Sequence, residues 1–177
     1  RSADDEAISQ FSYLSLNRRG QEVLDLLRLI EPRLRRIEVL SLNGRRPDVF
    51  VDIEDAGPLL SLRMMGDGLN RAFDIGVSIL ASQDGVLCVD EIDSGLHHTT
   101  LDRMFRWLSA SAEAESVQVF ATTHSEECVH AARAAFPEGN DAFRLIRLDR
   151  TTKGIEAKLY NRDLVLAAQE MGVEIRG

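Results

Sequence analysis

Seven residues, Gly85-Val-Leu-Cys-Val-Asp-Glu91, constrain this chain more than any others. Four apolar residues run directly into two carboxylates. A continuous apolar run of this kind predicts a strand covered on both faces, as in parallel sheets. The acids then stand at the strand's C-terminal end, the edge where ligands collect in open α/β sheets. Two adjacent carboxylates there are costly to bury without a cation. A divalent metal nearby removes that cost. The polar segment Ile92-Asp-Ser-Gly-Leu-His-His98 follows, readable either as a loop that reaches a partner subunit or as an ordinary strand-to-helix turn with Thr99 or Thr100 as cap.

The flanking segments build on that strand. Leu101 to Ser111 has helical spacing, with Leu101, Met104, Phe105 and Leu108 on one side and Trp107 partly off the stripe, at a seam. Val117-Gln-Val-Phe-Ala-Thr-Thr123 is a second β-rich run that ends in His124-Ser125. Strand, helix and strand together predict a right-handed parallel crossover. His124 should therefore lie beside Asp90 at one sheet edge. Upstream, Gly66-Asp67-Gly68 precedes a helix predicted from Leu69 to Ser82, and such a turn can aim backbone N–H groups at an anion.

The rest of the chain reads as follows. Ile8 to Ile30 is helical, interrupted at Asn17-Arg-Arg-Gly20 and ended by Pro32. Arg35 to Leu42 and Asp48 to Glu54 form an antiparallel hairpin about Asn43-Gly44. Ala56 to Leu62 is a loop or short strand. Ser125-Glu-Glu-Cys128 opens a helix running to Phe136, stopped by Pro137-Glu-Gly-Asn140. Phe143 to Asp149 and Ile155 to Tyr160 pair about Thr151-Thr-Lys-Gly154. Arg162 to Met171 closes the chain as a helix, followed by Gly172 and a short tail. The expected class is α/β, a mainly parallel sheet flanked by helices, with antiparallel hairpins.

Composition narrows the possibilities. The chain has 177 residues, 44% hydrophobic and 28% charged, which suits one globular domain. No apolar run approaches the ~20 residues that span a bilayer, so no membrane partner is expected. No secretory leader is evident, and Cys88 and Cys128 lack a framework spacing; both point to a reducing, cytoplasmic setting. A start at Arg-Ser-Ala-Asp-Asp-Glu, without Met, reads as a fragment, a processed chain or the edge of an ordered region. The net charge of −8 argues against a surface wholly devoted to nucleic acid. Arg28, Arg33, Arg35, Arg36, Arg45 and Arg46 do cluster, with Glu31 and Glu38 among them. Without interleaved aromatic residues they read as a salt-bridged face. His97, His98, His124, Cys128 and His130 match neither a His-Glu-x-x-His helix nor paired Cys ligands.

Taken together, the motifs resemble the C-terminal half of an ABC-type ATPase head, in the SMC-like and OLD-type branch of AAA ATPases, many of which occur in bacterial defence systems. Met65-Gly-Asp-Gly-Leu-Asn-Arg71 resembles the signature motif, Gly85 to Glu91 Walker B, Ile92 to His98 the D-loop, and Ala121-Thr-Thr-His124-Ser125 the switch-histidine loop. The likeness covers residues 60 to 130. It implies a P-loop NTPase fold in which Asp90 binds Mg²⁺ through water, Glu91 is the general base and His124 contacts the γ-phosphate of ATP. Gly66, Asp67, Gly68 and Asn70, with Asp93 of the D-loop, would meet ATP held by a second head. The implied partners are a homodimer head and an effector protein or nucleic acid.

Two departures shape that expectation. No Gly-x-x-x-x-Gly-Lys-Ser/Thr occurs, so residues 1–177 are expected to be one lobe, completed by an N-terminal phosphate-loop lobe. Gly66 also stands near the place of the usual signature serine, leaving backbone N–H groups, Asn70 or Arg71 to substitute. The rival reading is a regulatory or interaction module that keeps the fold without hydrolysis. A TOPRIM-type nuclease would need an Asp-x-Asp, and Asp90-Glu-Ile-Asp93 has another spacing.

Overall fold

The computed structural model describes residues 3–42, 44–137, 141–152 and 154–171. Its N-terminal part is two helices, α1 (Ala3–Leu16) and α2 (Gly20–Arg28), rather than one interrupted helix. The chain turns between them at Arg18, which takes a positive φ of 63°. The Arg19 N–H closes the corner on the Leu14 carbonyl at 2.8 Å. Helix α2 stops at Arg28, ahead of Pro32, and turns Val23, Leu24, Leu26 and Leu27 inward.

Strands β1 (Leu34–Leu40) and β2 (Asp48–Ile53) pair antiparallel, as expected. Val49, Val51 and Ile53 are buried on alternate positions of β2, the period-2 pattern of a one-sided sheet. Asn43 of the expected turn lies outside the described residues; Gly44 has a φ of 72°. A short β3 (Leu60–Ser61) adds a third strand, and one 3₁₀ turn (Leu62–Met65) leads out of it. The arginine cluster is salt-bridged: Arg33 meets Glu31, Arg35 meets Glu54, Arg36 meets Glu38 and Asp52, Arg28 meets Asp25, and Arg46 meets Asp5.

Helix α3 (Asp67–Ala81) is the centre of the core. It buries Leu69, Ala72, Phe73, Ile75, Val77, Ile79 and Leu80, and α1, α2 and α4 (His98–Ala114) all pack on it. Val77 and Ile79 have no exposed surface, each contributing about 1.5–3 kcal/mol of gross apolar burial. Trp107 packs against this core as a partly buried seam residue.

β4 (Val86–Val89) and β5 (Gln118–Ala121), joined through α4, pair in parallel, with Val89 opposite Ala121. The α/β class and the parallel crossover are therefore present. The expectation that β4 is covered on both faces is not met. Val89 is buried, but Val86 is 57% exposed, Cys88 is exposed, and Phe120 on β5 is 50% exposed. Among the described residues no third strand joins this pair, and that face is left largely open. The apolar run is real, yet its second covering layer does not come from these residues.

Ser125 caps α5 (Glu126–Ala134), and β6 (Arg144–Thr151) and β7 (Gly154–Asn161) form the expected hairpin, followed by α6 (Arg162–Glu170). Its small separate core joins Val129 and Val165 with Phe143, Leu145, Tyr160 and Ala168. Residues 138–140, Lys153 of the hairpin turn and the tail from Gly172 lie outside the described residues.

Candidate functional site

The parallel register decides how the acid end is built. With Val89 opposite Ala121, Asp90 and Thr122 leave the pair side by side. The Thr122 N–H donates to the Val89 carbonyl and the Ile92 N–H to the Thr122 carbonyl, both at 3.0 Å. The Thr122 hydroxyl donates to Asp90 Oδ1 at 2.5 Å and accepts from the Glu91 N–H at 2.9 Å. One threonine thus organises four consecutive residues. Thr123 repeats the device one step on: its hydroxyl donates to Asp93 Oδ1 at 2.5 Å and accepts from the Ser125 N–H at 3.0 Å. Sequence reasoning treated both threonines as a prelude to His124. The signal that finds them is two hydroxyls directly after a strand that pairs with an acid-ended one.

Asp90 and Glu91 are both exposed, and neither pairs with a cationic side chain among the described residues. Glu91 has a φ of +46°, the left-handed region. For a residue with a side chain this costs on the order of 1 kcal/mol and persists only where the surroundings impose it. The surroundings here include Arg71, in the second turn of α3. Its Nη2 donates to the carbonyl oxygens of Asp90 and of Glu91, the latter at 3.3 Å.

The Gly66-Asp67-Gly68 segment is placed differently from expectation. Helix α3 begins at Asp67, so Asp67 and Gly68 form its first turn, with Gly66 as the N-terminal cap at a φ of 86°. The first N–H groups of a helix have no intrahelical acceptor and carry its positive dipole end. Asn70 is committed elsewhere: its amide donates to the Gly66 carbonyl at 2.7 Å and the Leu62 carbonyl at 3.2 Å. That folds the loop back on the 3₁₀ turn.

Gly68 also touches the turn after the acids. A Cβ on Gly68 would collide with the Gly95 carbonyl oxygen, and one on Gly95 would come within 3.0 Å of the Gly68 nitrogen. Gly95 itself has a φ of 75°. The two loops therefore meet backbone to backbone, which only glycine on both sides permits. Asp93, half-buried, spends one carboxylate oxygen on Thr123.

The structure caps α4 with His97 rather than Thr99 or Thr100. The His97 Nδ1 accepts from the Thr99 N–H at 3.4 Å, and the Thr100 hydroxyl returns to the His97 carbonyl at 2.7 Å. The rings of His97 and His98 stack at 4.2 Å between centroids. His124 is exposed, two residues beyond Thr122, and makes no side-chain hydrogen bond among the described residues. Behind this surface lies Cys128, 1% exposed. Burial pushes its thiol up to about 12, the Thr123 hydroxyl opposing in part and Asp93 adding to the rise.

Among the described residues no three of His, Cys, Asp and Glu converge to hold a metal.

An acid-ended parallel strand, a threonine-histidine loop beside it and a glycine turn opening α3 are thus brought together at one end of the β4–β5 pair. Solved structures agree on the fold. A chain described under ATP-driven dimerization and DNA-stimulated activation of SMC ATPases matches at a TM-score of 0.59 and 11% identity, over 95% of this chain and 99% of that one. An Smc head bound to the C-winged helix domain of ScpA matches at 0.59 and 11%, over 86% of this chain and 44% of that one. The Smc head of Pyrococcus yayanosii, with a coiled coil and joint, matches at 0.58 and 12%, over 86% and 28%. The family model described as "AAA domain, putative AbiEii toxin, Type IV TA system" matches residues 1–129, and the chain belongs to that family. The uncharacterized protein MJECL11 of Methanocaldococcus jannaschii is 29% identical over 119 residues, 64% of this chain and all of that protein. The chain is thus an ATPase-family module with the fold of SMC heads, and such a family implies nucleotide use. No helix among the described residues is long and apolar enough to cross a membrane.

Proposed function

We propose that residues 1–177 are the Walker B and signature lobe of an ABC-type ATPase head, completed by a lobe that brings the phosphate loop. The observation that carries this is the acid end of β4. Asp90 and Glu91 stand exposed, without a cationic side-chain partner among the described residues, in a backbone held by Thr122. Acids held that way are ready for an external cation and a water.

In this reading Asp90 holds Mg²⁺ through water and Glu91 takes the proton of the attacking water. His124, exposed beside them, meets the γ-phosphate. Bound Mg²⁺ would offset charge on the phosphate oxygens. The first turn of α3 faces ATP held by a second head through the N–H groups of Gly66, Asp67 and Gly68. The Asn70 amide is already engaged, so backbone donors replace the missing serine hydroxyl. Asp93 acts less as a ligand than as an anchor between the D-loop and the switch loop. The bare face of Val86, Cys88 and Phe120 seats the phosphate-loop lobe, which supplies the second layer that the apolar run of β4 calls for. ATP-driven pairing of two such heads would drive an effector protein or act on nucleic acid, in a cytoplasmic setting such as anti-phage defence.

The test is Mg-ATP binding and turnover by the 177-residue chain and by the full-length gene product, each with Glu91→Gln. We expect turnover in the full-length protein, a fall of about 10²–10⁴-fold in Glu91→Gln with binding retained, and neither activity in the short chain. A full-length protein that binds no nucleotide, or whose turnover survives Glu91→Gln, would instead support an interaction module without hydrolysis.

A further inference from the structure

Beyond Val89 the ladder of β4 with β5 ends, and among the described residues no strand pairs with Asp90 or Glu91. The Glu91 carbonyl accepts from the Ser94 N–H at 2.9 Å, and the Asp90 carbonyl depends on Arg71. The amides of Glu91 and Ile92 are held by Thr122 from the β5 side. From the opposite element, Arg71 Nη2 takes both carbonyls. The Arg71 Nε is buried and has no acceptor among the described residues. A half-buried guanidinium ordinarily forks onto a carboxylate. This one is spent on main chain. Its placement is also not local: Arg71 belongs to α3, whose first turn already touches the acid loop where Gly68 meets Gly95. The acid pair is therefore gripped from two elements, and one of the grips is rooted in the helix that carries the glycine loop.

We propose that Arg71 is a positioning residue: it holds the main chain of Asp90 and Glu91, imposes the left-handed turn at Glu91, and makes the acid pair follow the first turn of α3. Under the ATPase reading, on which the catalytic meaning of this inference rests, a phosphate arriving at residues 66–68 from a second head would settle α3 and, through Arg71, the backbone that aims Glu91. The chemistry sensed at a distance is a terminal phosphate, and the group adjusted is the general base. A lysine reproduces the grip only in part, because its ammonium rides on a flexible four-carbon stem whereas the guanidinium nitrogen is held in a rigid plane.

Arg71→Gln and Arg71→Lys test this, since both replacements are good helix formers and leave α3 its propensity. In the 177-residue chain without nucleotide, amide hydrogen exchange at Glu91 and Ile92 should speed up at least about tenfold in Arg71→Gln and less in Arg71→Lys, with the β6–β7 amides within about twofold of the parent. In the full-length protein, Arg71→Gln should lower kcat at least about tenfold at unchanged KM for ATP, Arg71→Lys should recover part of it, and adding Arg71→Gln to Glu91→Gln should cost nothing more. Unchanged exchange at Glu91 and Ile92 overturns the proposal. So does faster exchange in an active protein whose kcat is unaffected. A full-length protein inert towards ATP overturns the ATPase reading alone. The exchange result then decides by itself whether Arg71 holds the strand end.

Discussion

The two ends of the β4–β5 pair carry carboxylates and treat them in opposite ways. At the N-terminal end Glu115 is buried, and Arg19 grips both its oxygens, at 2.5 and 3.1 Å. Glu22 shares the same guanidinium, and the two acids, Glu22 first, push the Arg19 pKa up. The Asp84 N–H donates to the Glu115 carbonyl at 2.8 Å, which ties both strand entries together. At the C-terminal end Asp90 and Glu91 are exposed, steadied by a threonine hydroxyl and by an arginine that touches only their carbonyls. A carboxylate whose work is structural has its counter-charge within the chain. The pair at the other end has its geometry provided and, among the described residues, no counter-charge from a cationic side chain.

The largest effect should come from the satisfied end. Glu115→Ala leaves Arg19 with a buried strand entry and one partner fewer, and should cost about 2–4 kcal/mol in urea denaturation, somewhat below a fully buried pair because Arg19 is partly exposed. A loss under about 0.5 kcal/mol would break the contrast between the ends.

A second effect, spread over a pH window, concerns how dry the acid end is just behind its surface. The Cys128 thiol is raised by burial from 9.0 to about 12 in the folded chain. The unfolded thiol gives up its proton first, so the folded state binds more protons between those values. The stabilisation is complete below pH 9 and is lost as pH rises towards 12, at up to about 1.4 kcal/mol per pH unit. Stability measured across that window should fall less steeply in Cys128→Ala. An identical fall in both proteins would place the titration elsewhere.

The smallest effect belongs to the open end. Asp90→Asn keeps an oxygen for the Thr122 hydroxyl and removes one of two neighbouring like charges. Its thermal midpoint should match or exceed that of the parent, a change within about 0.5 kcal/mol. A destabilisation above about 1 kcal/mol would make Asp90 a structural acid like Glu115 and erase the distinction.

Much of this was legible in the residues alone. The hairpin of Arg35 to Glu54, the crossover from Val86 to Ala121 and the existence of α3, though not its start at Asp67, follow from periodicity and turn chemistry, which act over a few residues. The acid pair at a strand end was legible for the same reason. Less legible was whatever depends on contacts between distant segments. Thr122 and Thr123 look like ordinary strand-end hydroxyls until the register sets them against Asp90 and Asp93. Asn70 and Arg71 read as candidate phosphate contacts, but their side chains are drawn to the carbonyls of Leu62, Gly66, Asp90 and Glu91. The apolar run of β4 states that the strand prefers two covered faces without stating what covers the second.

The sequence by itself determined the α/β class, the parallel crossover and the chemical kind of the residues at its tip, because local pattern and residue type suffice for these. Only the tertiary structure decided that Glu115 is neutralised by Arg19 while, among the described residues, Asp90 and Glu91 meet no cationic side chain and one face of the central pair stays largely open. Charge pairing and burial depend on which distant segments meet, and no local period encodes that meeting.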